Sequence, residues 1–415
     1  MRLSVPKFQF RFVPALGNVI HPGNFHPVGT QVAAQAMIDR ARIEPAPARG
    51  SGGNWLVVGG SGGFGSAARV VLGMRRGAHT LNVSYDAQPN PESSNKIRKL
   101  GSPGFHRNLA IERALSAAGL VARSVDGDAF DPAVQRRAID AIQEHFDGRL
   151  DGVIWALAAP RAIDPRTGAA VNSALRPLGK PVSIKTFGGR EGDGGSVIST
   201  LELAPGTPEE AIATIYVMGG GIVSTWVNAL RDADVLAPGF TVLTVSYRGN
   251  VLNEGTYRKG LIGLAKADLE FHTRALDAQL RTAVGGRALA VEGPAVVTEA
   301  SGGIPGVSLY MAEILDVMGE TFEDPLASMT RMFDQHFGEQ GPTLDDEGLL
   351  RMDDRELAPE VQAEVARRFE AAVPGSRFDD ALYDRFMTEY GRTRGFEIPG
   401  VDYEAEFDTD EVCAV

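Results

Sequence analysis

An α/β fold with a doubly wound parallel sheet is predicted from three observations. Short apolar runs alternate with amphipathic stretches from Trp55 onward. The first run leads straight into a glycine-rich turn and a helical pattern. The alternation then repeats at a spacing that only crossover connections satisfy, and crossovers make parallel sheets.

The elements follow in order. Ala46 to Gly53 is a Pro/Gly/Ser connector. Trp55 to Val58 is a strand and Phe64 to Arg76 a helix. Thr80 to Tyr85 is the second strand, followed by a polar loop to Pro103. Leu109 to Ala118 reads as an amphipathic helix, Leu120 to Val125 as a strand, Pro132 to Phe146 as a helix and Val153 to Leu157 as a strand. Further on, Phe240 to Tyr247 and Ala288 to Val291 are strands flanking a helix from Leu261 to Leu280. Between Ala159 and Glu202 few elements are legible, and a stretch of that length suggests a lid or small subdomain. The expected organisation is one large unit over 1–415, with an inserted lid or substrate-binding segment at 160–235. A mostly helical extension follows at 304–415, and helices from both additions serve the substrate.

Composition narrows the function. Of 415 residues 43% are hydrophobic, so the chain buries a core and disorder is excluded for most of it. The formal charge is −12, from 53 acidic and 41 basic residues, which repels a polyphosphate backbone and argues against nucleic acid. The single cysteine, Cys413, allows no internal disulfide and no cysteine-based metal site; no metal is expected, and a reducing, cytoplasmic setting fits. Met1 to Phe12 carries charges within what would be an apolar core, so no leader is expected there. The uncharged run Ala211 to Leu230 contains Gly219-Gly-Gly221 and several hydroxyls, and reads as helix, turn, helix rather than a membrane span. Forty-nine glycines exceed the usual ~7% and call for an explanation.

Five of them lie in Gly59-Gly-Ser-Gly-Gly-Phe-Gly65, where a strand enters a helix. Two registers fit, Gly60-x-Gly-x-x-Gly65 and Gly59-x-x-x-Gly63-x-Gly65. In both, glycines let the backbone approach a pyrophosphate, whose charge meets the free N–H groups and dipole of the helix. Ser61 and Phe64 belong to the same cradle. Asp86, behind Tyr85, closes the second strand where an acid binds a ribose 2′-hydroxyl and repels a 2′-phosphate, so NADH is expected over NADPH. Asp128 and Ala129 follow the third strand, on the adenine side; Leu157 and Ala158 follow the fourth, bordering the nicotinamide ribose. Asp131 is the better helix cap for Pro132. The loop also spells Gly59-x-Ser61-x-Gly63, a nucleophile elbow, with His272 and His336 as later histidines. No oxyanion motif precedes it, and Asp86 is then unexplained. A glycine turn without a ligand is the third reading.

Reductases on this scaffold need a proton donor and a cation near the cofactor. Tyr257 and Lys266 are nine positions apart, which on one continuous helix places them on opposite faces. They converge only if Tyr257 precedes the helix or the first turn is broken, and Gly260 and Gly263 permit that. Spacing alone leaves a surface tyrosine and a solvated lysine as the simpler reading.

The sequence resembles the trans-2-enoyl-CoA and enoyl-acyl-carrier-protein reductases of the FabV/TER class from end to end. The resemblance rests on His26-Pro-Val-Gly29, the glycine loop, Asp126-Gly-Asp-Ala-Phe130, Ala159-Pro-Arg161 and Asp164-Pro-Arg-Thr-Gly168. It continues through Val217-Met-Gly-Gly220, Ser246-Tyr247, the Tyr257–Lys266 spacing, Ile304-Pro305 and Gly400-Val-Asp-Tyr403. It implies an enlarged short-chain-reductase-like fold of Rossmann type and NADH-dependent reduction of a 2,3-double bond conjugated to a thioester. Hydride goes to C3, and Tyr257 stabilises the enolate with Lys266 as partner and cofactor ligand. Tyr247 is a second active-site hydroxyl. The resemblance also implies a cofactor contact at Thr298 and substrate contacts at Met218 and Arg161, with Arg176, Lys180 and Arg258 as further cations for an anionic carrier. The partner is an acyl-CoA or acyl-carrier-protein thioester; the protein is expected to be a monomer or weak homodimer, without membrane insertion. Gly249 to Tyr257 departs from the family pattern, as do Phe64, Ala156 and Thr30, which implies an altered acyl pocket. The glycines at 219–221, 260, 263, 302 and 303 are expected to border the cofactor or acyl pocket. An NADH-dependent reductase of another carbonyl or alkene, and a hydrolase at Ser61, are the competing functions.

Overall fold

The computed structural model describes residues 2–189, 195–338 and 340–414; residues 190–194 of the expected insert lie outside them. Seven strands form one parallel sheet: β1 (Asn54–Val58), β2 (His79–Ser84), β3 (Ala122–Asp126), β4 (Leu150–Trp155), β5 (Leu236–Ser246), β6 (Arg287–Glu292) and β7 (Leu350–Arg351). Their order is β7-β6-β5-β4-β1-β2-β3, every neighbour parallel. The order reverses between β1 and β4, and such a switch point opens a crevice at the carboxyl ends of the strands.

Both faces of the sheet are covered, which explains why the central strands β1 and β4 are buried over almost their whole length. Trp55 and Val57 face a core built with helices α1 (Pro27–Ala41), α2 (Gly63–Arg76), α3 (Pro103–Ala117) and Pro325–His336. Leu56 and Val58, one residue out of step, face the opposite core. There they meet α4 (Pro132–His145), Gly221–Asp232 and α5 (Leu261–Val284). Buried alternately on both sides, β1 is the centre of the fold.

The legible elements of 55–157 are all present, with shifted ends. Helix α3 begins at Pro103 rather than Leu109, because Ser102 caps it through the Phe105 N–H and Pro103 opens it. Asp131 caps α4, accepting from the Ala133 N–H. The apolar run near 211–230 is two helices, Pro208–Met218 and Gly221–Asp232, broken at Gly219-Gly220. Each is shorter than the ~20 residues a span requires.

The segment 159–202 is more regular than expected. Arg161–Ile163 pairs with Ala170–Asn172, and Val182–Phe187 with Ile198–Leu203, both antiparallel. The second hairpin packs with the helices Val307–Met318 and Asp380–Arg392 into a further apolar core, where Phe187 stacks on Phe378. Arg2–Leu3 pairs with Phe407–Asp408, tying the two chain ends together.

Candidate active site

A cavity of about 1910 Å³ lies along the carboxyl ends of the central strands, at the switch point. The glycine loop forms one wall. Gly62 caps α2 with no side-chain hydrogen bond, leaving the first N–H groups of the helix free of a side-chain cap. Gly59 has a φ of +86°, and a Cβ there would lie 2.8 Å from the Leu157 nitrogen, so only glycine allows β1 and β4 to end this close together. Gly65 does not reach the cavity. A Cβ at Gly65 would stand 2.2 Å from the Gly59 carbonyl oxygen, so its role is helix-to-turn packing. Ser61, Gly63 and Phe64 do line the cavity, with Thr298 opposite Gly63. An uncapped helix start behind a glycine cradle fits the pyrophosphate of a dinucleotide.

Arg107, on α3, holds the loop. Its guanidinium donates to the Ser61 carbonyl, to Glu299 at 3.1 Å and to the Thr393 carbonyl at 3.2 Å. Nothing in the local sequence marks this arginine: it is one cation on an amphipathic helix. Its function comes from tertiary packing.

Both acids line the cavity just after their strands. Asp86 lines the cavity and accepts from Ser84 (2.8 Å), Ser102 (3.1 Å) and Asn108 (3.3 Å), which fixes its carboxylate at the rim. Tyr85 beside it is 80% exposed, a ring offered to the cavity mouth. Asp128 accepts from the Phe130 N–H at 2.9 Å, and Ala129, Leu157 and Ala158 complete this side.

Tyr257 and Lys266 both reach the cavity, by the route the glycines permit. Residues 251–259 form turns, Gly260 caps α5, and the helix starts at Leu261, so Tyr257 precedes it. The Tyr257 carbonyl accepts from the Gly260 N–H at 2.9 Å, and a Cβ at Gly263 would lie 2.5 Å from that carbonyl oxygen. Both side chains line the same cavity as the glycine loop. Tyr257 is 9% exposed, and its hydroxyl has no hydrogen-bond partner among the described residues. Burial and the Glu356 charge push its pKa up, so the phenol keeps its proton at neutral pH. Burial lowers the Lys266 pKa, while Glu292 and Glu270 act to raise it.

Tyr247 is different. Its ring stands edge-on to that of Tyr257, with centroids 5.1 Å apart, but its hydroxyl is committed. It donates to the buried Glu356 at 3.1 Å and accepts from Asn253 at 3.3 Å. Glu356 also takes the Tyr310 O–H (2.6 Å) and the Ala295 N–H (2.6 Å). One tyrosine therefore has a free proton to give and its neighbour does not.

Several expectations need correction. Of the glycines expected at the pocket, Gly303 lines the cavity, whereas 219, 220, 221, 260, 263 and 302 do not. They serve close packing instead: Gly220 lies against His272 and Gly302 against Tyr390, while Gly221 opens the next helix. The elbow reading of Ser61 fails, because His272 bonds to Ser224 at 2.8 Å and the His336 ring accepts from the Thr343 N–H; neither lines the cavity. Arg258 is paired with Glu270 at 2.9 Å, Arg176 lies 3.9 Å from Glu210, and Lys180 does not line the cavity. Arg161 and Met218 do line it. His26 is structural: its Nδ1 accepts from the Gly29 N–H and caps α1.

The chain matches three family models: the NAD(P)H binding domain of trans-2-enoyl-CoA reductase over residues 14–91, the trans-2-enoyl-CoA reductase catalytic region over 99–337, and the enoyl reductase FAD binding domain over 344–407. The last description does not fit the residues present. That segment has no glycine-rich strand-to-helix turn, its helices bury apolar faces in the core beside Val307–Met318, and only Glu389, Arg392 and Thr393 of it reach the cavity. Curated relatives include enoyl-[acyl-carrier-protein] reductase [NADH] of Opitutus terrae, 38% identical over 92% of this chain and 95% of that protein. The corresponding Coxiella burnetii protein is 35% identical over 91% of each chain. Among solved structures, the Treponema denticola trans-2-enoyl-CoA reductase in complex with NAD superimposes with a TM-score of 0.84, at 30% identity and 98% coverage of both chains. With a catalytic-region match spanning more than half its length, the chain belongs to the trans-2-enoyl-CoA reductase family.

Proposed function

We propose that the protein reduces the 2,3-double bond of a trans-2-enoyl thioester to the saturated acyl thioester, with NADH as reductant. The observation that carries this reading is the Tyr257 hydroxyl, free of a protein partner among the described residues and on a buried ring, which lines with the half-buried Lys266 the cavity that the glycine loop walls. NADH, when bound, supplies the hydride that reaches C3. The loop at Gly59, Ser61, Gly63 and Phe64 would hold its pyrophosphate, and Asp86 its adenosine ribose.

The chain's own work is electrostatic and proton handling. Tyr257 donates to the thioester oxygen, where negative charge develops as C3 is attacked; in a dry site such a donor is worth about 10²–10³ in rate. Lys266, which lines the same cavity, is assigned as the cation that stabilises phenolate character. Tyr247, whose proton is held by Glu356, shapes the pocket and offers only lone pairs. Met218, Ile304, Val307 and Met311 give the acyl side an apolar lining, and Arg161 stands at the rim for the anionic carrier. The segment 160–235 acts as the substrate-binding lid. The thioester is carried by coenzyme A or a carrier protein in a reducing, cytoplasmic setting, and the enzyme works as a monomer or weak homodimer.

The test is NADH oxidation against a panel of enoyl-CoA chain lengths, with NADPH run alongside. The expected outcome is stoichiometric saturated thioester, NADH preferred, and unequal rates across chain lengths because of the divergent Gly249–Tyr257 segment. An alcohol product would instead support reduction of a carbonyl.

A further inference from the structure

We propose that Glu292 is the proton reservoir behind Lys266, recharging the Tyr257–Lys266 pair from solvent once per turnover. The inference rests on the reductase reading above, since it concerns the proton that this reaction consumes.

Glu292 ends β6 directly opposite Ser246, the last residue of β5, and is 0% exposed. Neither carboxylate oxygen has a hydrogen-bond partner, nor does the Ser246 hydroxyl or the Arg248 Nε. Ser246 and Lys266 line the cavity, so this polar cluster opens onto the catalytic pair. A buried carboxylate without hydrogen bonds costs several kcal/mol, and native interiors rarely retain one without use. With no direct partner at either oxygen, Glu292 exchanges its proton through ordered water bridging it to Lys266.

The charged groups around it are Lys266 and Glu270 from α5, Arg248 after β5, and Asp353 after β7. Asp353 is paired with Arg351 at 2.7 Å. Burial and Glu270 raise the Glu292 pKa to about 7, against the pull of Arg248 and Lys266. Glu292 is thus poised between its two forms at neutral pH. Arg248, which keeps its proton, bonds at 3.0 Å to the exposed Glu347 and anchors the far side of the cluster, so the proton route to solvent is the cavity that Ser246 lines.

The protons balance. Reduction takes one hydride, to C3, and one proton, which leaves the Tyr257 O–H for the enolate and ends on C2. The phenolate recovers a proton from the Lys266 ammonium, the Lys266 amine takes one from the Glu292 carboxyl, and the Glu292 carboxylate takes one from solvent. Glu292 touches no reacting atom and acts through Lys266, so it is a positioning and relay residue.

Glu292→Gln removes the acid and keeps the shape. The expected result is a steady-state kcat lower by about tenfold, with the first turnover in stopped flow at the wild-type rate because Tyr257 starts protonated. The kcat profile loses its limb near pH 7, Glu292→Asp restores part of it, and KM and NADH affinity do not change. In the free enzyme, an infrared carbonyl band of a buried protonated carboxyl titrates across about pH 7 and is missing from the variant. An unchanged pH profile, a first turnover slowed as much as the steady state, or an infrared band that survives in Glu292→Gln would overturn the proposal. If the variant does not fold, the wild-type infrared titration and the solvent isotope effects on first and later turnovers decide: no titrating band, or equal effects, overturns it. Failure of the wild type to oxidise NADH with any enoyl thioester would sink the reductase reading instead, and leaves the infrared result to be read separately.

Discussion

Adding one methyl group at Gly263 is expected to disable the enzyme while leaving it folded. Gly263 is the third residue of α5, and a Cβ there would lie 2.3 Å from the Arg258 carbonyl oxygen and 2.5 Å from that of Tyr257. Carbon and oxygen settle no closer than about 3.3 Å without strain, so both carbonyls must retreat by about 1 Å. These are backbone atoms, and no side-chain rotation relieves the clash. The same Tyr257 carbonyl accepts from the Gly260 N–H, and the Tyr257 N–H donates to the Asn253 carbonyl at 3.1 Å, so the turn moves as a unit. Misplacing a catalytic group by about 1 Å costs roughly 10² in rate. Stability changes less: overpacking costs about 1–3 kcal/mol, and Ala replacing Gly in a helix returns about 1 kcal/mol. Gly263→Ala is therefore expected to lower kcat by about 100-fold, with unfolding free energy reduced by about 0–2 kcal/mol. NADH affinity should stay within about twofold, since the glycine loop is untouched. The assay is steady-state NADH oxidation with an enoyl-CoA, beside urea unfolding and NADH fluorescence titration. A variant that keeps kcat within about threefold would show that carbonyl packing does not set the position of Tyr257.

Two other perturbations probe other parts of the structure. Arg107→Ala removes the clamp on Ser61, Glu299 and Thr393, and should weaken NADH binding by about tenfold, or ~1.4 kcal/mol, by titration. An unchanged affinity would mean the loop holds its shape unaided. His26 and His106 are buried and held neutral, each with a pKa lowered to about 4 by desolvation. Between that value and the unfolded ~6.5 the unfolded chain binds more protons, so stability falls as pH drops through this window, by about 3 kcal/mol per histidine. Urea midpoints measured across the window should decline with acidity; a flat series contradicts the burial argument.

The sheet was legible because its signals are local. Apolar runs such as Trp55–Val58, a glycine turn and helices of ordinary length declare β1, β2 and β4 from their own residues. The edge strand β7 is two residues long and carries no periodicity, so only its pairing with Val291 and Glu292 defines it. The hairpins at 161–203 alternate weakly because parts of both faces stay partly exposed. In the site, Asp86, Asp128, Tyr257 and Lys266 were legible from order along the strands or from family spacing. Arg107, Glu356 and Glu292 were not, because each acts at a distance of many residues: Glu356 meets Tyr247 across 109 positions. Glycine positions are ambiguous for a related reason. A glycine marks a close approach, and at 220 and 302 the approaching group is another side chain, His272 or Tyr390.

The division of labour between the two tyrosines is the centre of the account, and one comparison tests it most directly. Tyr257→Phe and Tyr247→Phe each remove one hydroxyl from the same cavity. Tyr257→Phe takes away the only free O–H of the pair, and kcat with an enoyl-CoA should fall by about 10²–10³ while NADH affinity is retained. Tyr247→Phe takes away a proton already held by Glu356; kcat should fall by about tenfold or less, with a loss of stability of about 1–3 kcal/mol from the orphaned carboxylate contact. A larger loss of kcat in Tyr247→Phe than in Tyr257→Phe would contradict the account.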